Sequence, residues 1–270
     1  MTTALAFTHP RPRPFGLVRA DLLKLRRRWG LVATIAAMTI GSQVVAYSVL
    51  AILHAANPDK HGPAGGLANF GHGLFLLNLL GAVAGIIVGA SAGADDLTSG
   101  VFRELVVTGR SRLALFASRI PGGLAFLLPF VVVAFSITAV VSSTANGGLP
   151  VLSTTQLVES GLWLLASVTF SYILGLAVAS LTGSRAYTIG VLLAWQLIVG
   201  QLLLAISALG VGRELVPDAA LTALAPHAIR NNIANGPVIG MSFAAIAAVL
   251  LSWIAVWLSV GAWRTVTREA

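Results

Sequence analysis

The stretch LFLLNLLGAVAGIIVGASAGA, residues 74–94, decides the fold. Its 21 residues carry no charged side chain, and at about 1.5 Å per residue they cross a hydrocarbon core of about 30 Å. In lipid the backbone N–H and C=O groups have no water to pair with, so a run of this length closes its hydrogen bonds internally as a helix; barrel strands would alternate in polarity over about ten residues. Gly81, Gly85, Gly89 and Gly93 recur every four residues. They form three overlapping G-x-x-x-G units on one face and let another helix approach closely. The stripe leaves open whether that helix belongs to the same chain or to a second protomer.

Five more charge-free apolar stretches follow the same logic: 31–53, 120–141, 161–181, 187–209 and 238–263. The six make up 136 of 270 residues and explain a composition that is 57% hydrophobic and 10% charged, against about 45–50% and about 25% in water-soluble domains. The sequence therefore predicts an all-α, polytopic integral membrane protein with six transmembrane helices. Pro121 and Pro129 are expected to kink the third span without ending it. The first span is too long for the roughly 7–15-residue core of a cleaved signal peptide and is read as retained.

Lys and Arg set the orientation. Seven lie before the first span, four in the second loop (Arg103, Arg110, Arg112, Arg119), one in the fourth (Arg185) and two in the C-terminal tail, for 14 on one side. The other side has Lys60, Arg213 and Arg230. The positive-inside rule then puts both termini in the cytoplasm, with the chain multi-pass in the plasma (inner) membrane. The net charge of +8 reads as topology rather than as a nucleic-acid footprint, and no nucleic-acid partner is expected. Zero Cys excludes disulfides, thiolate metal sites and a Cys nucleophile.

Residues 1–14, with Pro10, Pro12 and Pro14, read as a disordered cytoplasmic tail. In 15–30, Phe15, Val18, Leu22, Leu25 and Trp29 recur at helical spacing while Arg19, Arg26 and Arg27 fall elsewhere, which describes a basic amphipathic helix in the inner leaflet. It serves either as a topology anchor or as a specific elbow. The transmembrane domain is 31–263, and 264–270 is a cytoplasmic tail.

The second cytoplasmic loop, 95–119, opens with Asp95-Asp96. A short helix, Val101 to Val107, is broken at Gly109, and Ser111 is placed to cap the next helix. Phe102, Leu105 and Val106 share a face that suits a partner's groove or packs under the bundle itself. The external loop 210–237 is cut by Pro217, Pro226 and Pro237; Leu221 and Leu224 suggest short helices that dip into the outer leaflet or cap the bundle. His54, Asp59, His61 and His72 fit no metal-ligand spacing, and no metal is predicted.

Gly89-Ala90-Ser91-Ala92-Gly93 matches the G-x-S-x-G elbow, yet all five histidines lie outside the spans, so a hydrolase at Ser91 has no base at its depth. Neither Lys24 nor Lys60 sits in a phosphate-binding loop. The spans hold no Asp, Glu, Lys, Arg or His, the usual mark of ion relays. Gln43, Asn78, Gln196 and Gln201 are the candidate substrate-pathway residues, and interhelical hydrogen bonds are an equal reading for them.

With a basic amphipathic elbow (Val18, Leu22, Leu25, Trp29), six spans and the loop Asp95-Asp96-Leu97-Thr98-Ser99-Gly100-Val101-Phe102-Arg103-Glu104-Leu105 followed by Ser111-Arg112, the chain resembles the ABC type-2 permeases, membrane subunits of ABC exporters. The acidic pair stands where many members have one Glu. The resemblance implies a transport subunit, not itself an enzyme, that pairs with a second permease copy or paralogue, contacts membrane lipid and binds no cofactor, with ATP and Mg held by separate ATP-binding subunits. It also implies that Val101, Phe102, Arg103, Glu104 and Leu105 dock on the ATPase, and that the substrate is a drug, peptide antibiotic, lipid or similar amphipathic molecule. The competing readings are a secondary transporter or channel, and a non-transporting scaffold or immunity protein.

Overall fold

The computed structural model describes residues 14–100, 104, 106–107, 109, 111–226, 230 and 239–267. The described residues form an all-helical bundle. A short helix, α1 (Pro14–Arg26), precedes six helices long and apolar enough to span a membrane: α2 (Trp29–Ala56), α3 (Leu67–Thr98), α4 (Arg112–Thr144), α5 (Thr154–Thr182), α6 (Arg185–Ala205) and α8 (Phe243–Thr267). Helix α7 (Pro217–Leu224) lies between α6 and α8. Helices α2 and α6 each contain a π-helical turn, at Ala37–Gly41 and Trp195–Val199.

Helix α5 is the axis of the bundle. In its apolar window 78% of residues are buried, and in that of α3 61%, against 11% in α8. The glycine stripe explains why these two meet. A Cβ on Gly85 would stand 2.9 Å from Val168 O, one on Gly89 2.3 Å from Tyr172 O, and one on Gly93 2.6 Å from Leu176 O. From the other side, Gly175 of α5 sits over Ile86 O at 2.7 Å by the same measure. The partner of the stripe is therefore α5 of the same chain. Helix α8 crosses α5 at Gly261, over Ala177.

Local signals set the ends of α5. Ser153 and Gln156 form a reciprocal capping box, and Gly183 closes the helix at φ 72°, the left-handed conformation that glycine adopts without cost. Helix α4 runs unbroken through Pro121 and Pro129.

Several boundaries differ from the sequence reading, each for a physical reason. The loop expected over 95–119 shrinks to 99–111: α3 carries Asp95 and Asp96 in its last turns, and α4 begins at Arg112. These charges find partners within the bundle, so the helices need not stop where the apolar runs stop. Ser111 stands at the N-cap of α4 without a side-chain cap bond. The 15–30 helix ends at Arg26, and Trp29 opens α2 and is 81% exposed. The fifth span ends at Ala205 rather than at 209, because Ile206 turns extended and a 3₁₀ segment, Ser207–Leu215, follows with Gly210 at positive φ. The sixth helix starts at Phe243 rather than at 238, and the Ser242 hydroxyl accepts from Ala245 N at 3.2 Å.

At the end remote from α1 the loops are knitted together. Gly65 N, Gly66 N and Leu67 N donate to Ala145 O, Ser142 O and Pro150 O, each at 2.8 Å. Tyr47 OH bridges Ser142 Oγ and Asn69 O.

Candidate functional site

Two features stand out, one at the basic end of the bundle and one in the half away from it. At the basic end, α1 lies across α4, where Gly122 leaves room: a Cβ there would meet Asp21 Cβ at 2.8 Å. The packed face of α1 presents Val18, Asp21, Leu22 and Leu25, so part of its apolar stripe rests on protein rather than on lipid, and Leu25 is buried. Lys24 Nζ pairs with Asp96 Oδ1, and Arg28 Nη1 with Asp95 Oδ2. Arg119, 3% exposed, donates to Asp96 Oδ2 at 3.1 Å and to Gly93 O at 3.3 Å. Ser118 Oγ donates to Asp21 Oδ2 at 2.7 Å. Tyr172 OH, packed on Gly123, donates to Arg119 O at 2.6 Å.

The cluster thus binds α1, α3, α4 and α5 into one unit. Burial pushes the Asp21 carboxyl above its ordinary value, against the pull of the Ser118 hydroxyl and the Arg119 guanidinium. Taken by element, the ionisable groups are not confined to the loops: Asp96 and Arg119 are buried members of the long helices. One sign of this was readable in advance, since Asp21 falls on the apolar stripe of α1, three residues after Val18 and four before Leu25. The loop between α3 and α4 springs from this cluster, with Gly100 and Gly109 at φ 74° and 82°. Glu104 is helical and exposed, and Val107 is 79% exposed. Val101, Phe102, Arg103 and Leu105 lie outside the described residues.

The second feature is a partly open cavity of about 220 Å³ lined chiefly by α3, α5, α6 and α7. Three of the four candidate pathway residues, Asn78, Gln196 and Gln201, line it. Asn78 Oδ1 accepts from Ser167 Oγ at 2.7 Å, so it also joins α3 to α5. Gln43 lies elsewhere: it is buried between α2 and α4 and accepts from Thr138 Oγ1 at 3.0 Å. Trp163 and Trp195 supply aromatic wall, and Trp163 Nε1 is fixed on Leu221 O at 2.8 Å.

Asp218, which the sequence reading did not single out, also lines this cavity. It is the second residue of α7, after Pro217, a combination that marks a helix start. The sequence shows that much and nothing of the direction in which the loop folds. Gly200 makes room for the carboxylate, since a Cβ there would stand 2.6 Å from Asp218 Oδ2. Oδ2 is buried and has no hydrogen-bond partner among the described residues. Burial raises the carboxyl to about 6, while its own backbone amide and the Trp195 side chain pull the other way.

A folded-state value above the ordinary 3.8 means that the folded chain holds this proton more tightly than the unfolded one. The stability lost to the buried charge is therefore fully absent only below about pH 4, and it grows as pH rises through about 6. The other charges near this end are engaged or turned elsewhere: Arg213 donates to Leu204 O and Gly210 O, Arg230 to Ala223 O and Ala225 O, and Glu214 does not line the cavity. Asp218→Asn is expected to raise the melting temperature at pH 7.5 and to flatten its rise on acidification from pH 7 to 4. An unchanged pH profile in the variant would assign the slope to another group.

Ser91 is buried and donates to Ile87 O at 2.8 Å, a bond within its own helix. His54 Nδ1 is paired with His61 O at 2.7 Å. No protein-family model and no curated protein sequence matches the chain.

Proposed function

We propose that this chain is the membrane-spanning permease subunit of an ATP-driven exporter of the ABC type-2 kind. Its partners would be separate ATP-binding subunits and a second permease copy or paralogue, and its cargo an amphipathic molecule such as a drug, peptide antibiotic or lipid. The observation that carries the reading is the ionic tie of α1 to the ends of α3 and α4 through Lys24, Asp96 and Arg119. A subunit driven by a partner needs a stiff joint between the surface that is pushed and the helices that move. This cluster stands at the root of the 99–111 loop, which holds exposed Glu104 and Val107. On this reading the basic end faces the cytoplasm, α1 is the elbow, and the loop meets the ATPase. The chain has no phosphate-binding loop of its own, so ATP and Mg belong to the partner.

The test is ATP-dependent uptake of substrate into inverted membrane vesicles that contain the full chain and its ATPase. Glu104→Lys is expected to lower transport at least tenfold while leaving insertion and melting temperature unchanged, because Glu104 is exposed. Unchanged transport removes the loop from coupling, and uptake that needs no ATPase overturns the reading. The cavity carboxylate, Asp218, favours a second reading, a carrier driven by an ion gradient. Uptake driven by such a gradient in vesicles free of ATPase would establish it.

A further inference from the structure

Among the described residues that line the cavity between α3, α5, α6 and α7, the Asp218 carboxylate is the one formal charge, with no Lys, Arg or His beside it. A carboxylate oxygen buried without a partner is costly unless something compensates it. Gly200 accommodates this oxygen where any other residue would crowd it. The rest of the wall divides by chemistry. Gln196, Gln201 and Asn78 offer amides, while Trp163, Trp195, Phe75 and Phe170 offer aromatic and apolar surface. Such a wall suits a ligand with one positive end and one apolar end, because indole faces attract cations and bury hydrocarbon.

We infer that this cavity is a binding site for a small amphipathic amine, its ammonium group on Asp218 Oδ2 and its apolar group against Trp163 and the phenylalanines. A bare alkali-metal ion fits less well. About 220 Å³ is far more than a desolvated ion fills, and hard cations are held by several oxygen ligands at close range, whereas most of the lining here is apolar. The volume lies below the roughly 300–1,000 Å³ of drug-sized pockets. The site therefore holds a compact amine or the cationic end of a larger molecule.

As the cargo site of an exporter, this assignment rests on the function proposed above; as a binding site, it does not need an ATPase. The test uses the full chain in phosphatidylcholine nanodiscs, with empty nanodiscs as the blank, and calorimetric titration with 2-phenylethylammonium, 2-phenylethanol and NaCl. The amine is expected to bind the wild-type chain at least tenfold more tightly than the alcohol. Asp218→Asn is expected to weaken the amine at least tenfold and to leave the alcohol unchanged, with a melting temperature no lower than wild type. Glu214→Gln, which removes an acid outside the cavity, is expected to bind the amine as wild type does.

Absence of amine binding overturns the site, as does a loss below tenfold in Asp218→Asn, an alcohol bound as well as the amine, or full displacement of the amine by an equal concentration of Na⁺. A chain that binds the amine but transports without ATP keeps the site and overturns the exporter. A chain that exports with ATP but shows no amine binding does the reverse.

Discussion

Gly89→Leu is expected to leave no folded bundle in detergent or membrane. A Cβ at this position would stand 2.3 Å from Tyr172 O, 2.7 Å from Leu176 N and 3.1 Å from Gly175 C. All three are backbone atoms of the most buried helix, so no side-chain rotation relieves the clash, and α3 and α5 must separate along their length. Overpacking that side chains can absorb costs about 1–3 kcal/mol; here even Gly89→Ala is expected to cost about 3 kcal/mol or more, and leucine more than the bundle retains. Size-exclusion profiles and thermal unfolding of the purified chain measure both variants. Gly190→Ala is the control, because that glycine is exposed on α6 with open space around it, and alanine there is expected to leave stability unchanged or raise it by up to about 1 kcal/mol. Equal losses at the two positions would refute the packing account.

Arg119→Leu is expected to rank second. The guanidinium is 3% exposed and serves Asp96 and Gly93 O together. Removing one partner of a buried ion pair costs about 3–5 kcal/mol where the other charge is left uncompensated, and because Asp96 keeps Lys24 the loss is expected at the lower end of that range. The loss should be felt in the docking of α1, because Asp96 also holds Lys24, and Asp21 lies in the field of Arg119. Removing both charges in Asp96→Leu/Arg119→Leu is expected to cost clearly less than the two single changes added together, since the Asp96–Arg119 pair is then removed whole. Protease accessibility at Arg26-Arg27 and thermal unfolding of the three variants provide the measurement. Strict additivity would show that Asp96 and Arg119 are not coupled.

Much of the architecture was legible because membrane spans obey a one-dimensional rule. A helix in lipid needs length, apolarity and little else, and these can be read from 74–94 and from the five stretches like it. Errors gathered at the ends, where that rule stops applying. Asp95, Asp96 and Arg119 looked like loop residues because they are charged. They are helical because each charge is answered by a group far away in sequence, 72 residues away for Lys24–Asp96. Likewise 206–209 looked apolar enough to remain in a span, yet the chain turns at Ile206.

The candidate site divides along the same line. Asn78, Gln196 and Gln201 were visible as the rare amides of apolar helices, and the fold gathers them around one cavity. Gln43 had the same local signature and is spent on Thr138 instead. Only the direction its helix face takes separates it from the others. Asp218 was hidden for the opposite reason, since it belongs to the apolar segment between the fifth and sixth spans and reaches the cavity only because α7 folds back over the bundle.

By itself the sequence determined the number of membrane-length helices and the close-packing face of α3, because apolar run length and glycine spacing act within a single helix. Tertiary structure alone decided that α5 of the same chain fills the glycine stripe. It also decided that α1 is tied to the bundle through the partly buried Lys24–Asp96 ion pair, and that Asp218 lines the cavity with its Oδ2 unpartnered among the described residues. Each of these depends on which distant segments come within bonding distance, and local sequence carries no record of that.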